Sequence, residues 1–220
     1  MKSAVAFFDV DNTLIKIKSM FHFYKYWCDV KSAHHEYHQF TKSFSNALQQ
    51  RTCREELNKM YYLQFQGIDI EELNIAGKKW FSQFFSDSSL FINGTITALN
   101  EHKKNGYETV FVSGSMLPLL SPLAERLEVD TILCTTLLHN NGVLTGYIGS
   151  PQTIGEGKKE AVLSYLHQTG IAPDNCFSYG DDISDIPMLS VTGNPVCVGG
   201  LSPLADYASS KKWDIISYRH

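Results

Sequence analysis

The sequence predicts an α/β fold, a doubly wound parallel sheet interrupted by an all-helical segment. Residues 4–8, Ala-Val-Ala-Phe-Phe, form an uninterrupted apolar run of the kind found in a strand buried on both faces. From residue 17 to residue 93 the apolar residues recur at three- and four-residue steps and never alternate by two. Beyond residue 94 short apolar runs alternate with helical stretches, the rhythm of a parallel sheet with crossover helices.

The first strand ends in Asp9-Val10-Asp11-Asn12-Thr13. Side chains on a strand repeat every second residue, so Asp9 and Asp11 project to the same side. In open α/β sheets ligands bind at the carboxyl ends of strands, where these two sit. Two anions held together need a proton or a cation between them, and a hard, oxygen-seeking Mg²⁺ meets that need. The bland alternative is a turn after a strand, since Asp, Asn and Thr all favour turns.

In the helical segment, Phe21, Tyr24, Trp27 and Cys28 mark one amphipathic helix, and Phe40, Phe44 and Leu48, four apart, mark a second. Thr52-Cys53-Arg54-Glu55 reads as a capping box opening a third helix that ends at Gly67. Asp69 is the expected N-cap of a fourth, running through Trp80 and Phe84. The α/β rhythm resumes with a helix over residues 95–104 closed by Asn105-Gly106, then a strand over 108–112 followed by Ser113-Gly114-Ser115. A helix follows over 117–127 despite Pro118 and Pro122, then a strand over 131–133. Asn140-Asn141-Gly142 between Leu137-Leu138 and Val143-Leu144 signals a hairpin. Gly155 and Gly157 read as a flexible approach to a helix over 158–169, stopped by Gly170. Strands are expected over 176–179, 195–198 and 213–216, the first leading into Gly180-Asp181-Asp182-Ile183-Ser184-Asp185. The expected division is thus an α/β core over 1–16 and 94–220, with a helical cap over 17–93.

With 220 residues the chain has material for a sizeable core. A net charge of −4 argues against a general nucleic-acid or membrane-surface binder, which needs a basic face. The five cysteines are scattered, with no C-x-x-C pair, and suit neither a zinc site nor a disulfide framework. No apolar run reaches the length of a membrane span and no signal peptide is legible, so a cytoplasmic protein is expected. His34 and His38, one turn apart, lack an H-E-x-x-H arrangement and read as an exposed helix face.

Each polar cluster falls at the carboxyl end of an expected strand or the start of a helix. In this order and spacing, Asp9-x-Asp11-x-Thr13, Ser113 after a buried strand, Lys158, and Gly180-Asp181-x-x-x-Asp185 resemble the haloacid dehalogenase superfamily of phosphohydrolases. The resemblance covers essentially the whole chain and is nearest to the branch of the phosphoserine phosphatases, which carries a helical cap on a Rossmann-like core. It implies Asp9 as a nucleophile forming an aspartyl-phosphate and Asp11 as general acid, then base. It also implies Mg²⁺ on the Asp9 carboxylate, the Asp11 main-chain carbonyl and Asp181, with Asp182 or Asp185 holding metal waters or orienting Lys158. Ser113 and Gly114 would bind phosphoryl oxygens, Lys158 rather than the exposed Lys159 would neutralise transition-state charge, and Thr13 would support the loop.

Phosphoserine enzymes carry an acidic residue nine positions after the nucleophile, to hold an ammonium group; here that position is Lys18, beside Lys16. Like charges repel, which points away from phosphoserine and toward a neutral or additionally anionic small phosphate monoester such as a sugar phosphate or phospho-acid. Arg54, with Arg51, is placed to reach a second anionic group, although a solvated face is the plainer reading. One or two of Phe21, Phe23, Tyr24, Tyr26 and Trp27 would wall the substrate. Movement of the cap about residues 15–18 and 91–95 would shield the intermediate. The expected partner is a small phosphorylated metabolite, with no nucleic acid and no membrane. The alternative enzymes are a phosphotransferase or mutase using the same intermediate, or a phosphoserine phosphatase proper.

Overall fold

The computed structural model describes residues 4–218. In chain order the strands are β1 (Val5–Phe8), β2 (Glu108–Met116), β3 (Thr131–Thr135), β4 (Leu137–Asn140), β5 (Val143–Ile148), β6 (Phe177–Gly180), β7 (Asn194–Val198) and β8 (Asp214–Ile216). The α-helices are α1 (Ser19–Val30), α2 (His34–Gln49), α3 (Arg54–Tyr62), α4 (Ile70–Phe84), α5 (Asn93–Lys104), α6 (Leu117–Leu127), α7 (Glu156–Thr169), α8 (Ile186–Leu189) and α9 (Pro203–Lys211).

Six strands form one sheet in the order β3-β2-β1-β6-β7-β8, with every neighbouring pair parallel. The chain steps outward on one side of β1 and restarts on the other, which puts the topological switch between β1 and β6. β1 is apolar throughout because both faces are covered: Val5 and Phe7 enter one core cluster with Val110, Val112 and Val162, while Ala6 and Phe8 enter another with Phe111 and Tyr179. Phe8 is level with Phe111 on one side and Tyr179 on the other. Asp9, Ser113 and Asp181 therefore lie within two residues of the same level.

The cluster containing Phe8 continues into the helical insert through Phe23, Trp27, Tyr61, Phe65 and Trp80. The strands joining insert and sheet are paired with each other: the Lys16 amide donates to the Leu90 carbonyl at 2.8 Å and the Ile92 amide to the Leu14 carbonyl at 2.9 Å. Asn140-Asn141-Gly142 does turn a hairpin, β4–β5, and it stands apart from the main sheet. Its edge bonds to the insert, with Gly67 donating to Leu144, Leu144 to Ile68, and Ile70 to Gly142. The hairpin thus belongs in contact to the segment 17–93, although the sequence groups it with the α/β part.

Asp69 caps α4 as expected, accepting from the Glu71 and Glu72 amides. The capping box at Thr52 does not form. The Thr52 amide closes the end of α2 on the Ala47 carbonyl, which moves the N-cap of α3 to Cys53, without a side-chain bond. β2 runs through Ser113 to Met116 rather than ending before it, with a register shift against β3. α9 was not expected, although Ser202 caps it onto the Ala205 amide with Pro203 in the first turn. Among the described residues no helix is long and apolar enough to cross a membrane.

Candidate active site

A cavity of about 320 Å³ opens at the carboxyl ends of β1 and β6, under the helical insert. Asp9, Asp11, Ser113, Gly114, Lys158 and Asp181 all line it. So do Lys18 and Arg54 from the insert.

Asp9 is the first residue after β1, 6% exposed, with its amide on the Tyr179 carbonyl. Lys158, 6% exposed in the first turn of α7, places Nζ 2.6 Å from Asp9 Oδ1 and 2.7 Å from Asp185 Oδ1. Burial alone would pull the Lys158 ammonium down, but Asp185 and Asp9 outweigh it and hold the group above the ordinary lysine range. Lys159, by contrast, points outward to Glu156. Two glycines make the approach possible. A Cβ on Gly157 would lie 1.7 Å from the Gln152 carbonyl oxygen, and one on Gly180 would lie 2.7 Å from the Asp185 Cβ. Gly157 therefore serves close packing under α7, not the flexibility expected from the sequence.

Asp185 accepts three hydrogen bonds: Lys158 on Oδ1, and the amides of Asp181 and Asp182 on Oδ2, both at 3.2 Å. With Asp9 it holds the Lys158 ammonium in place. Asp182 faces the other way, accepting from the Ser184 amide at 2.9 Å and from Arg54 at 2.8 Å. Burial would raise its carboxyl, but Ser184 and Arg54 hold it below the usual range.

Carboxylate oxygens of Asp9, Asp181 and Asp185 lie within 4.8 Å of one another, with Lys158 the ammonium set between Asp9 and Asp185. Burial and the Asp9 and Asp185 charges push Asp181 up to about 8, while burial raises Asp9 against the pull of Lys158. The excess negative charge and the all-oxygen donors suit Mg²⁺. Asp185 already accepts three bonds, so Asp9 and Asp181 have more lone pairs to offer. Thr13 Oγ1 lies 3.2 Å from Asp9 Oδ2 and 3.4 Å from Asp181 Oδ1, touching the carboxylates themselves.

The carboxylate of Asp11 is outside that cluster. Oδ2 accepts the amide of Ser19 at 3.0 Å, at the start of α1, and Oδ1 is buried without a hydrogen-bond partner among the described residues. Burial and the Asp9 charge push this carboxyl up to about 7. A carboxyl with that pKa and a free oxygen can give and take a proton near neutrality. Ser113 Oγ accepts from the Ser115 amide at 3.1 Å at the cavity floor. The Gly114 carbonyl is held by Asn58 Nδ2 at 3.2 Å and the Tyr62 hydroxyl at 2.7 Å, both from α3.

Lys18 is exposed at the cavity edge, its side chain without a hydrogen bond or ion pair among the described residues. Arg54 also lines the cavity, but its guanidinium spans to Asp182 Oδ2 and, at 3.0 Å, to Ser184 Oγ. The anion receptor expected of Arg54 is thus occupied by the protein's own carboxylate. Phe21 does line the cavity. Sequence reasoning missed Ser19, Asn58, Phe44 and Leu48 as site residues: the four-residue spacing revealed the face of α2, but not what it faces.

A family model described as HAD, haloacid dehalogenase-like hydrolase, matches residues 6–190. Phosphoserine phosphatase SerB1 of Mycobacterium tuberculosis (strain ATCC 25618 / H37Rv) is 27% identical over 225 residues, covering 99% of this chain and 71% of that protein. Histidinol-phosphatase of Neisseria meningitidis serogroup C (strain 8013) is 26% identical over 126 residues, 55% of this chain and 56% of its own length. Among solved structures, a protein of unknown function from Bordetella pertussis Tohama I superposes with a TM-score of 0.87 at 20% identity, over 99% of each chain. A phospho-aspartyl intermediate analogue of phosphoserine phosphatase superposes at 0.68 and 20% identity, over 100% of this chain and 95% of that one. At such identities the superpositions establish a common fold.

Proposed function

Because this chain belongs to the haloacid dehalogenase-like hydrolase family, we propose that it is a Mg²⁺-dependent phosphatase that hydrolyses a small phosphate monoester through an aspartyl-phosphate on Asp9. The observation that carries the reading is the contrast between two neighbouring carboxyls facing one cavity. Asp9 is braced by Lys158, whereas Asp11 is held near neutrality with one oxygen free. One is set up as a nucleophile and the other as a proton carrier.

In the first half-reaction an Asp9 carboxylate oxygen attacks phosphorus, and the bond from phosphorus to the alcohol oxygen breaks. Asp11 gives its proton to that leaving oxygen. In the second half, Asp11 takes a proton from water as its oxygen attacks phosphorus, and the bond from phosphorus to Asp9 breaks. Ser113 and the Gly114 amide would orient the phosphoryl oxygens, and Lys158 would balance their charge. Mg²⁺ would be held by Asp9, Asp181 and the main-chain carbonyl of Asp11, supplying positive charge that screens the nucleophile from the phosphate. The segment 17–93 acts as a cap that excludes water and outside nucleophiles from the cavity.

The test is Asp9→Asn, assayed for phosphate release from a panel of phosphomonoesters with Mg²⁺. Turnover should fall to background with the fold intact by circular dichroism. In Asp11→Asn, acid-quenched digests should retain a phosphoryl adduct on the Asp9 peptide. Phosphate release by Asp9→Asn would overturn the assignment.

A further inference from the structure

The roof of the cavity differs in chemistry from its floor. Below lie the carboxylates, Ser113 and Lys158; above, the insert contributes Met20, Phe21, Phe44, Leu48 and Leu57. Phe44 meets Phe21 edge to face, with ring centroids 4.9 Å apart, and Phe21 packs on Tyr61 at 6.1 Å. Leu48, one turn beyond Phe44 on α2, is 53% exposed and extends this wall to the mouth.

Apart from Lys18 at the exposed edge, the polar side chains Tyr61, Asn58 and Arg54 of the roof are already engaged. The Tyr61 hydroxyl donates to the Met20 carbonyl at 2.9 Å. Asn58 gives Nδ2 to Gly114 and takes Gln152 Nε2 on Oδ1 at 2.7 Å. Arg54 is held by Asp182 and Ser184. A hydroxyl-rich leaving group would have to break one of these bonds to be recognised, and a carboxylate would find only the exposed Lys18 at the edge free; along the wall either would bury its polar groups against Phe21, Phe44 and Leu57. Lys18, at the same edge, repels an ammonium group.

We infer that the substrate is the phosphate monoester of an uncharged, apolar alcohol, whose hydrocarbon part lies along the wall of Phe21, Phe44, Leu48 and Leu57. This rests on Asp9 being the nucleophile, and it narrows the substrate away from the sugar phosphates and phospho-acids that Lys18 and Arg54 suggest in the sequence alone. Apolar burial makes the discrimination graded. At roughly 0.8 kcal/mol per buried methylene, kcat/KM gains about fourfold with each methylene that reaches the wall.

The experiment compares kcat/KM for ethyl, butyl and hexyl phosphate, phenethyl phosphate, glycerol 3-phosphate, O-phosphoethanolamine and O-phosphoserine. The alkyl series should rise with length, the phenethyl ester separating an aryl-bearing from a purely aliphatic substrate. Glycerol 3-phosphate and both ammonium esters should fall at least tenfold below butyl phosphate. Phe44→Ser should flatten the rise, and Leu48→Gln, on the exposed rim where folding is not at stake, should lower the hexyl-to-ethyl ratio by itself. A flat alkyl series, or a polar ester as the best substrate, overturns this inference alone. No turnover of any ester, or turnover surviving Asp9→Asn, overturns the nucleophile reading with it.

Discussion

Arg54, at the start of α3, reaches across the cavity mouth to Asp182, at the end of β6, with Nη2 2.8 Å from Oδ2. The pair joins the insert to the sheet edge, and its side chains are 53% and 33% exposed. Exposed ion pairs contribute roughly 0–1 kcal/mol, so the link orients α3 more than it stabilises the fold. Arg54→Ala and Asp182→Asn should each shift the urea midpoint slightly, with a coupling in a double-mutant cycle below about 1 kcal/mol. Amide exchange over residues 54–62 should nevertheless speed up in both variants. A coupling above about 2 kcal/mol, or unchanged exchange, would show that the pair does something else.

Lys158 stands in the opposite regime. Its side chain is 7% exposed, against 9% for Asp9 and 3% for Asp185. Removing one partner of a buried pair typically costs about 3–5 kcal/mol, because the remaining charge has no counterion. Lys158→Met should therefore lose stability on that order at neutral pH and lose turnover with it. The pH dependence carries the signature. Without the ammonium, the carboxyls bind protons more readily in the folded than in the unfolded chain, so part of the loss should return as pH falls. Urea unfolding of both proteins at about pH 8 and about pH 5.5 measures this, and a loss that does not change between them would count against the charge explanation.

These two lysine and arginine sites mark how far the sequence could be read. Asp9, Asp11 and the strand before them were legible because a strand buried on both faces leaves an unbroken apolar run, and Asp69 was legible because its bonds are local. The choice of Lys158 over Lys159 came from the family resemblance and not from local pattern: both lie in the first turn of α7, and only the fold turns one inward. The engagement of Arg54 was hidden for a related reason, since its partner lies 128 residues away. Thr52 misled by one position, because the end of α2 claimed its amide before α3 could begin.

His102 supplies a pH response away from the cavity. It is buried between Tyr107, Phe177 and Tyr179, with Nε2 2.7 Å from the Tyr179 hydroxyl. Desolvation lowers its pKa from the ordinary 6.5, with Glu101 opposing weakly. A base whose folded pKa is depressed stays neutral in the fold while the unfolded chain takes up a proton, so stability is lost as pH falls below about 6.5. His102→Gln removes that proton uptake. The stability advantage of the parent over this variant should shrink as pH drops from about 7.5 to about 5, and an advantage that grows on acidification would refute the sign.

Cation binding can be followed without turnover. Asp9 and Asp181 repel each other across a buried space, and Asp181 is pushed up to about 8 by burial and by Asp9. A divalent cation there would replace the proton on Asp181 as the neutralising charge, and it binds only the folded chain. Mg²⁺ should therefore raise the melting temperature, with a gain of about 2.7 kcal/mol when its concentration is a hundredfold above Kd. Competition with that proton makes the gain larger at about pH 8.5 than at about pH 6.5. Asp181→Asn removes one of the two carboxylates proposed to hold the cation and should abolish the shift, while EDTA should reverse it in the parent. Asp182→Asn should keep it, because Asp182 is turned to Arg54 and Ser184. Equal Mg²⁺ shifts in the parent and in Asp181→Asn would mean that the cation, if bound at all, is held elsewhere.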